Sequence, residues 1–181
     1  MASQQFDINQ KPNEDEFEKW MVAKFGISSR QARSNYESNA TRLLKALEEH
    51  PFWRQVGEQL KEWDIEYYKE KGVHLFANSY LPKVVNKPYD SLLNKAYRKN
   101  CLNNKSFPDE PEKGWISPVT WFDRIHDMVR TSFIVRYLDG VKYLDQKLSL
   151  VSQEVGCKYT CSYEAHDEGY YAAHVAIVLD L

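Results

Sequence analysis

Hydrophobic positions recur at helical spacing through the first seventy residues of the chain. The first stripe begins after Asn13, which can cap a helix with an acidic first turn, and ends at Gly26. A second stripe runs from Ser29 to His50. A third, rich in aromatic residues, predicts a helix over 52–68. The pattern therefore predicts an N-terminal helical region over residues 1–72, with stripes of a kind that usually serves packing.

The pattern changes after Gly72, where short β-forming runs alternate with helical stretches. We expect a second domain over residues 73–181, and an α+β fold whose mixed β-sheet is flanked by helices. Its predicted elements are a strand over 73–77, a helix over 88–100, a loop over 103–118, a strand over 128–138, a helix over 140–155 and strands over 157–163 and 171–179.

Composition narrows the function classes. The chain is 43% hydrophobic and 14% aromatic, which is far from the signature of disorder. Its net charge of −2 excludes a global basic field for nucleic acid, so phosphate recognition needs a local cluster. Three cysteines without metal or redox spacing, and no leader or membrane-length apolar run, predict a reduced, cytoplasmic protein with no membrane partner.

Lysines and one serine recur at every fourth position around the helix predicted over 88–100. The stripe that they would form consists of Lys87, Ser91, Lys95 and Lys99, with Arg98 beside it. Ammonium groups and a hydroxyl close to a helix N-terminus can bind a triphosphate. A solvated helix face is the alternative interpretation of the same pattern.

Two further segments carry candidate chemistry. Asp127 precedes a β-forming run, where a carboxylate can bind Mg²⁺ that bridges phosphates, although a turn residue would look the same. Gly169 permits a sharp entry into the last predicted strand. Tyr170 and His174 would share one face of that strand, where a ring can stack on a base and an imidazole can bind an anion. Ordinary packing is the alternative.

In this order and spacing, the three segments resemble the synthetase domain of the RelA/SpoT family, a branch of the nucleotidyltransferase superfamily, from about Ser79 to the end of the chain. The resemblance implies transfer of pyrophosphate from ATP to a 3′-hydroxyl, with Mg²⁺ as cofactor. The implied ATP-binding residues are Lys87, Ser91, Lys95, Arg98 and Lys99. Asp127 would be the catalytic and metal-binding residue. The implied acceptor-binding residues are Gly169, Tyr170 and His174.

The acceptor implied by the family is GDP or GTP, which gives an alarmone. In toxin-like members it is an adenine nucleotide or the 3′ end of tRNA. Val85, Glu168, Arg130 and Ser132 depart from the usual motifs, which favours a toxin-like, synthetase-only member with an antitoxin or self-association partner. The family domain continues into a strand with a second acidic residue, so we expect this chain to be truncated or catalytically inactive. The alternatives are an inactive nucleotide- or RNA-binding protein of the same fold, and a helical interaction module.

Overall fold

A computed structural model of the chain describes residues 6–77, 82–167 and 171–179. The α+β class predicted from the sequence is confirmed. The helices are α1 (Phe17–Phe25), α2 (Ser29–Glu49), α3 (Pro51–Lys71), α4 (Tyr89–Tyr97), α5 (Trp121–Arg124) and α6 (Leu138–Glu154), and the strands are β1 (Val85–Asn86), β2 (Val129–Arg130), β3 (Lys158–Ala165) and β4 (Tyr171–Val178). A π-helical turn over Arg98–Leu102 follows α4 directly.

Helix boundaries follow local capping chemistry. Gly26 and Gly72 end α1 and α3 in the left-handed conformation, with φ of 71° and 72°, which glycine adopts without steric cost. The imidazole of His50 accepts a hydrogen bond from the Phe52 amide at the start of α3. Asn13 does bond the Glu16 amide at 2.9 Å, but the turn that it caps precedes the helix, which begins at Phe17.

The chain divides into two compact units, each built from an early and a late stretch of sequence. Unit 1 contains the described residues of Met1–Arg42 and Val85–Arg130, and unit 2 those of Leu43–Val84 and Thr131–Leu181. The sequence-based boundary at residue 72 marks a change of pattern and falls inside a unit-2 stretch. The division into residues 1–72 and 73–181 therefore stays a prediction.

Unit 1 is held together by aromatic and aliphatic side chains from α1, α2, α4 and α5. Trp20 is fully buried, and its indole nitrogen donates to the Ile8 carbonyl oxygen at 3.0 Å. The ring of Trp121 lies edge-on to those of Tyr36 and Tyr89. The strands β1 and β2 form a short antiparallel pair, with Val85 opposite Arg130.

In unit 2, α6 packs against α3 and against the hairpin of β3 and β4. Phe52, Val56 and Trp63 of α3 and Leu148 of α6 lie in one buried cluster. The two strands pair antiparallel from Lys158↔Val178 to Ala165↔Tyr171. The hairpin agrees closely with the two strands predicted over 157–163 and 171–179.

The prediction of one mixed sheet is not matched by the described residues, whose strands form two separate two-stranded antiparallel sheets. The strand predicted over 128–138 is wrong beyond Val129–Arg130. The strand predicted over 73–77 is reduced to a single bridge between Phe76 and Val135. The β-forming residues of these two segments pack individually against the unit-2 core instead of forming long strands. Strand propensity reflects half-buried packing more than backbone preference, so both outcomes suit such residues.

No helix among the described residues is both long and apolar enough to cross a lipid bilayer.

Asp145 on α6 fastens β3 to that helix. Its Oδ1 accepts from the Tyr159 hydroxyl and its Oδ2 from the Tyr163 hydroxyl, both at 2.5 Å. Burial raises the pKa of the Asp145 carboxyl, but the hydrogen bonds from the two phenols outweigh it, so the pKa is below its ordinary value. The carboxylate is therefore the form that the hairpin stabilises.

The two phenols allow a matched test of this contact. Tyr159→Phe should lower the free energy of unfolding by about 1 kcal/mol, because its half-buried hydroxyl and the carboxylate lose their bond. Tyr163→Phe should cost only a few tenths, since water replaces the bond of the exposed ring, which is 53% accessible. Urea unfolding measures both, and equal losses would contradict the assigned difference in burial.

Candidate functional site

Three side chains from distant parts of the sequence meet in unit 1. The Lys87 ammonium donates to Asp127 Oδ2 at 3.0 Å, and the Lys95 ammonium donates to Asp127 Oδ1 at 2.5 Å. Lys87 and Lys95 are 40 and 32 residues from Asp127 in the chain. We call Lys87, Lys95 and Asp127 the lysine–aspartate cluster. In this cluster, two lysines of the predicted basic stripe bind the two carboxylate oxygens of the predicted metal ligand.

The strand pair β1–β2 brings the two segments together. The Lys87 amide donates to the Met128 carbonyl oxygen at 2.7 Å, which extends the ladder one residue past β1. Lys87 therefore lies beside the residue that follows Asp127. Pro88 then begins α4, which presents Lys95 to the same carboxylate while it buries Leu92 and Ala96 completely.

The lysine–aspartate cluster has two positively charged groups and one negatively charged group. Burial raises the pKa of the Asp127 carboxyl, but the hydrogen bonds from Lys95 and Lys87 and their positive charges outweigh it and lower the pKa to about 2. With two ammonium groups and one carboxylate, the cluster carries one net positive charge. The side chain of Lys87 is 9% exposed and that of Asp127 44%, so the carboxylate side is open to solvent. Such a cluster suits an incoming anion.

The other predicted ATP-binding residues do not join this contact. Ser91 lies exposed on α4, and Arg98 and Lys99 lie exposed on the π-helical turn that follows it. Their side chains make no hydrogen bond or ion pair with other residues that the structure describes. They stay candidate phosphate ligands by their position in the sequence stripe.

The stripe itself differs from its prediction at both ends. Lys87 precedes the helix, since Pro88 is the capping residue. Lys99 lies beyond the α-helix, in the π-helical turn, whose wider winding breaks the four-residue spacing. Buried Asn100 fixes that turn, because its amide donates to the Ile116 carbonyl oxygen at 2.7 Å and its side-chain oxygen accepts from the Ile116 amide at 2.9 Å. No local sequence pattern singles out Asn100, because its partner lies 16 residues away.

Of the three predicted acceptor residues, the structure describes His174, which belongs to unit 2. Gly169 and Tyr170 lie outside the described residues. His174 lies on β4 opposite Ser162 of β3, and its side chain is 53% exposed. The His174 Nε2 is 3.1 Å from Glu164 Oε2, an ion pair when the imidazole is protonated. Glu164 is a further acidic group at this position that the sequence analysis did not single out.

The lysine–aspartate cluster offers Mg²⁺ one carboxylate, that of Asp127, rather than a closed cage. Within residues 6–77, 82–167 and 171–179, no group of three or more acidic, histidine or cysteine side chains could hold a metal ion. Mg²⁺ is often bound by one or two carboxylates together with substrate phosphates. Asp127 fits that minimal role, as the hard oxygen ligand beside two lysines that can bind the same phosphates.

Scans against protein-family models, curated proteins and solved structures found no match to the chain.

The electrostatics of the cluster can be tested by substitution of each lysine. Lys87→Met and Lys95→Met should each raise the pKa of Asp127 by about one unit, because each removes a hydrogen bond and a positive charge from the carboxylate. Carboxyl ¹³C NMR over a pH series measures the shift. Lys105→Met, at an exposed loop position of the same unit, is the control and should leave the Asp127 pKa at its wild-type value.

The depressed pKa also has a consequence for stability. The paired carboxylate stabilises the fold fully above its unfolded pKa of about 4. That contribution is lost as the pH falls toward about 2. A wild-type Asp127 that titrates near pH 4 would contradict the paired geometry.

Proposed function

We propose that the protein is an ATP-dependent pyrophosphokinase of the RelA/SpoT type, with a nucleotidyltransferase-like fold. The observation that supports it best is the lysine–aspartate cluster. Two motifs that the resemblance assigns to ATP and to Mg²⁺ contribute side chains to a single contact. Neither motif alone requires this meeting, because a basic helix stripe and a turn aspartate are common separately.

In this proposal the two lysines bind the β- and γ-phosphates of ATP. An ammonium group that donates to a carboxylate can donate to a phosphate oxygen in the same way, so the phosphates compete with Asp127 for the lysines. Ser91, with Arg98 and Lys99 beyond it, would add contacts along the polyphosphate. Asp127, released from the lysines, would hold Mg²⁺, which neutralises charge that develops on the phosphates during transfer.

The proposed reaction is a displacement at the β-phosphorus. The acceptor 3′-hydroxyl oxygen forms a bond to this phosphorus and loses its proton to solvent, while the bond to the oxygen that bridges the α- and β-phosphates breaks. AMP leaves with that oxygen, and the pyrophosphate stays on the acceptor. Positioning and charge neutralisation carry such transfers without a covalent enzyme intermediate.

The acceptor half of the proposal rests on the sequence motif. Gly169, Tyr170 and His174 are proposed to bind a guanosine nucleotide or a tRNA 3′ end, with the Tyr170 ring stacked on a base. His174 would donate to a phosphate when protonated. Its partner Glu164 carries a negative charge that repels a polyphosphate acceptor.

A second candidate is a nucleotide- or RNA-binding protein of the same fold without transfer activity. The pairing of both Asp127 oxygens with lysines favours it, because a carboxylate held in this way is less available to a metal ion. The net positive charge of the cluster would still bind a polyphosphate. Binding without transfer is the signature that separates this candidate from the enzyme.

The transfer assay decides between the two. The protein at its natural length, incubated with Mg²⁺, ATP labelled in the β-phosphate, and GDP, GTP or tRNA, should give labelled acceptor and AMP. Asp127→Asn should lower the rate about 100-fold or more, because it removes the proposed metal ligand and keeps the side-chain shape. Asp123→Asn, an exposed aspartate in the same unit, is the control. ATP binding without any labelled acceptor would reject the enzyme in favour of the binding protein.

The acceptor half has a separate test. His174→Ala should raise the KM for the acceptor about tenfold and leave the KM for ATP unchanged, because the proposal gives the imidazole contacts to the acceptor alone. Initial rates with each substrate varied in turn measure both constants. Equal changes in the two constants would remove His174 from the acceptor site.

A further inference from the structure

An N-terminal tyrosine reaches the lysine–aspartate cluster from α2. Tyr36 is 2% exposed, and its hydroxyl donates to the main-chain oxygen of Lys87, which is 51 residues away in the chain. The sequence analysis assigned the apolar stripe of α2, which includes Tyr36, to packing. The structure gives this one residue a polar contact with a proposed phosphate ligand.

The ring of Tyr36 is fixed by three aromatic neighbours. Its centroid lies 5.7 Å from those of Tyr89 and Trp121, and 5.8 Å from that of Phe122, with which it stacks at 25°. A tyrosine side chain has only two rotatable bonds before its ring, so a ring packed on these sides also fixes its hydroxyl. Tyr36 therefore offers the Lys87 carbonyl a donor at a defined position.

The main chain of Lys87 is bonded at both polar groups. Its amide donates to Met128 at 2.7 Å, and its carbonyl accepts from Tyr36. Pro88, with φ of −58°, follows and restricts rotation on the other side. With the backbone held in this way, the position of the ammonium depends only on the side-chain torsions, and these end at Asp127.

The hydroxyl of Tyr36 keeps its proton at neutral pH. Burial, and to a smaller extent the negative charge of Asp127, raise the pKa of Tyr36 above its ordinary value. The phenol is therefore a permanent donor to the Lys87 carbonyl.

We propose that Tyr36 is a positioning residue for the lysine–aspartate cluster, which it orders through the backbone of Lys87. Its effect on phosphate binding rests on the proposed function, whereas its effect on Asp127 does not. The N-terminal helix α2 thereby belongs to the candidate site, and a change in α2 reaches the phosphate ligands through one hydrogen bond.

The test removes only the hydroxyl, in the full chain. Tyr36→Phe keeps the ring packing but leaves the Lys87 carbonyl without this donor. Tyr89→Phe is the matched control, because Tyr89 is buried in the same aromatic group and its hydroxyl faces Glu18, at 3.5 Å, instead of Lys87. Carboxyl ¹³C NMR gives the Asp127 pKa, and calorimetry gives the affinity for ATP with Mg²⁺.

We expect Tyr36→Phe to raise the Asp127 pKa above its wild-type value and to weaken ATP binding about tenfold, the effect of roughly one hydrogen bond. Tyr89→Phe should change neither quantity. A thermal unfolding curve for each variant separates these effects from a loss of stability.

Two results would overturn the proposal. One is a Tyr36→Phe protein with a lowered melting temperature but wild-type values for the Asp127 pKa and ATP affinity, which would make Tyr36 a packing residue. The other is an equal change in both variants, which would trace the effect to the aromatic group. If the wild-type protein does not bind ATP, the proposed function fails, and the Asp127 titration still decides the role of Tyr36.

Discussion

A lysine ammonium that is as buried as that of Lys87 requires a negative partner, because an isolated charge out of water is strongly unfavourable. Asp127 is that partner, and its second oxygen takes Lys95. This requirement sets the arrangement of unit 1. β1 and β2 are only two residues long, yet they must align Lys87 beside Met128, and α4 must turn Lys95 inward while it buries its apolar face.

Under the proposed function, the same contact would link stability to ligand binding. Each lysine has a carboxylate oxygen in the free protein, and in the proposed complex each would exchange it for a phosphate oxygen. The exchange keeps the buried charge of Lys87 paired throughout, so binding does not leave an isolated ion. It also frees Asp127 for a metal ion only when phosphates are present. Charge pairing alone would then require the phosphates to bind before Asp127 can bind the metal ion.

The fold shows where local sequence information is sufficient. The helices α1, α2 and α3 follow their stripes, and Gly26 ends α1 as predicted, because capping and periodicity act within a few residues. The helix predicted over 52–68 continues to Lys71, where Gly72 caps it. The prediction of a long strand over 128–138 is wrong because strand pairing depends on residues far apart in the sequence. Among the residues that the structure describes, the β-forming residues of this segment have no long partner strand, and Val135 pairs at a single bridge with Phe76.

The sequence by itself determined the helical stripes, the final hairpin and the identity of the charged residues that carry the proposed chemistry. Tertiary structure alone decided that Lys87 and Lys95 meet at Asp127 while Lys99 does not, and that Tyr36 bonds the Lys87 carbonyl. Periodicity and capping act between residues a few positions apart. These contacts join residues 32 to 51 positions apart, and only the packing of distant segments and the pairing of buried charge select them.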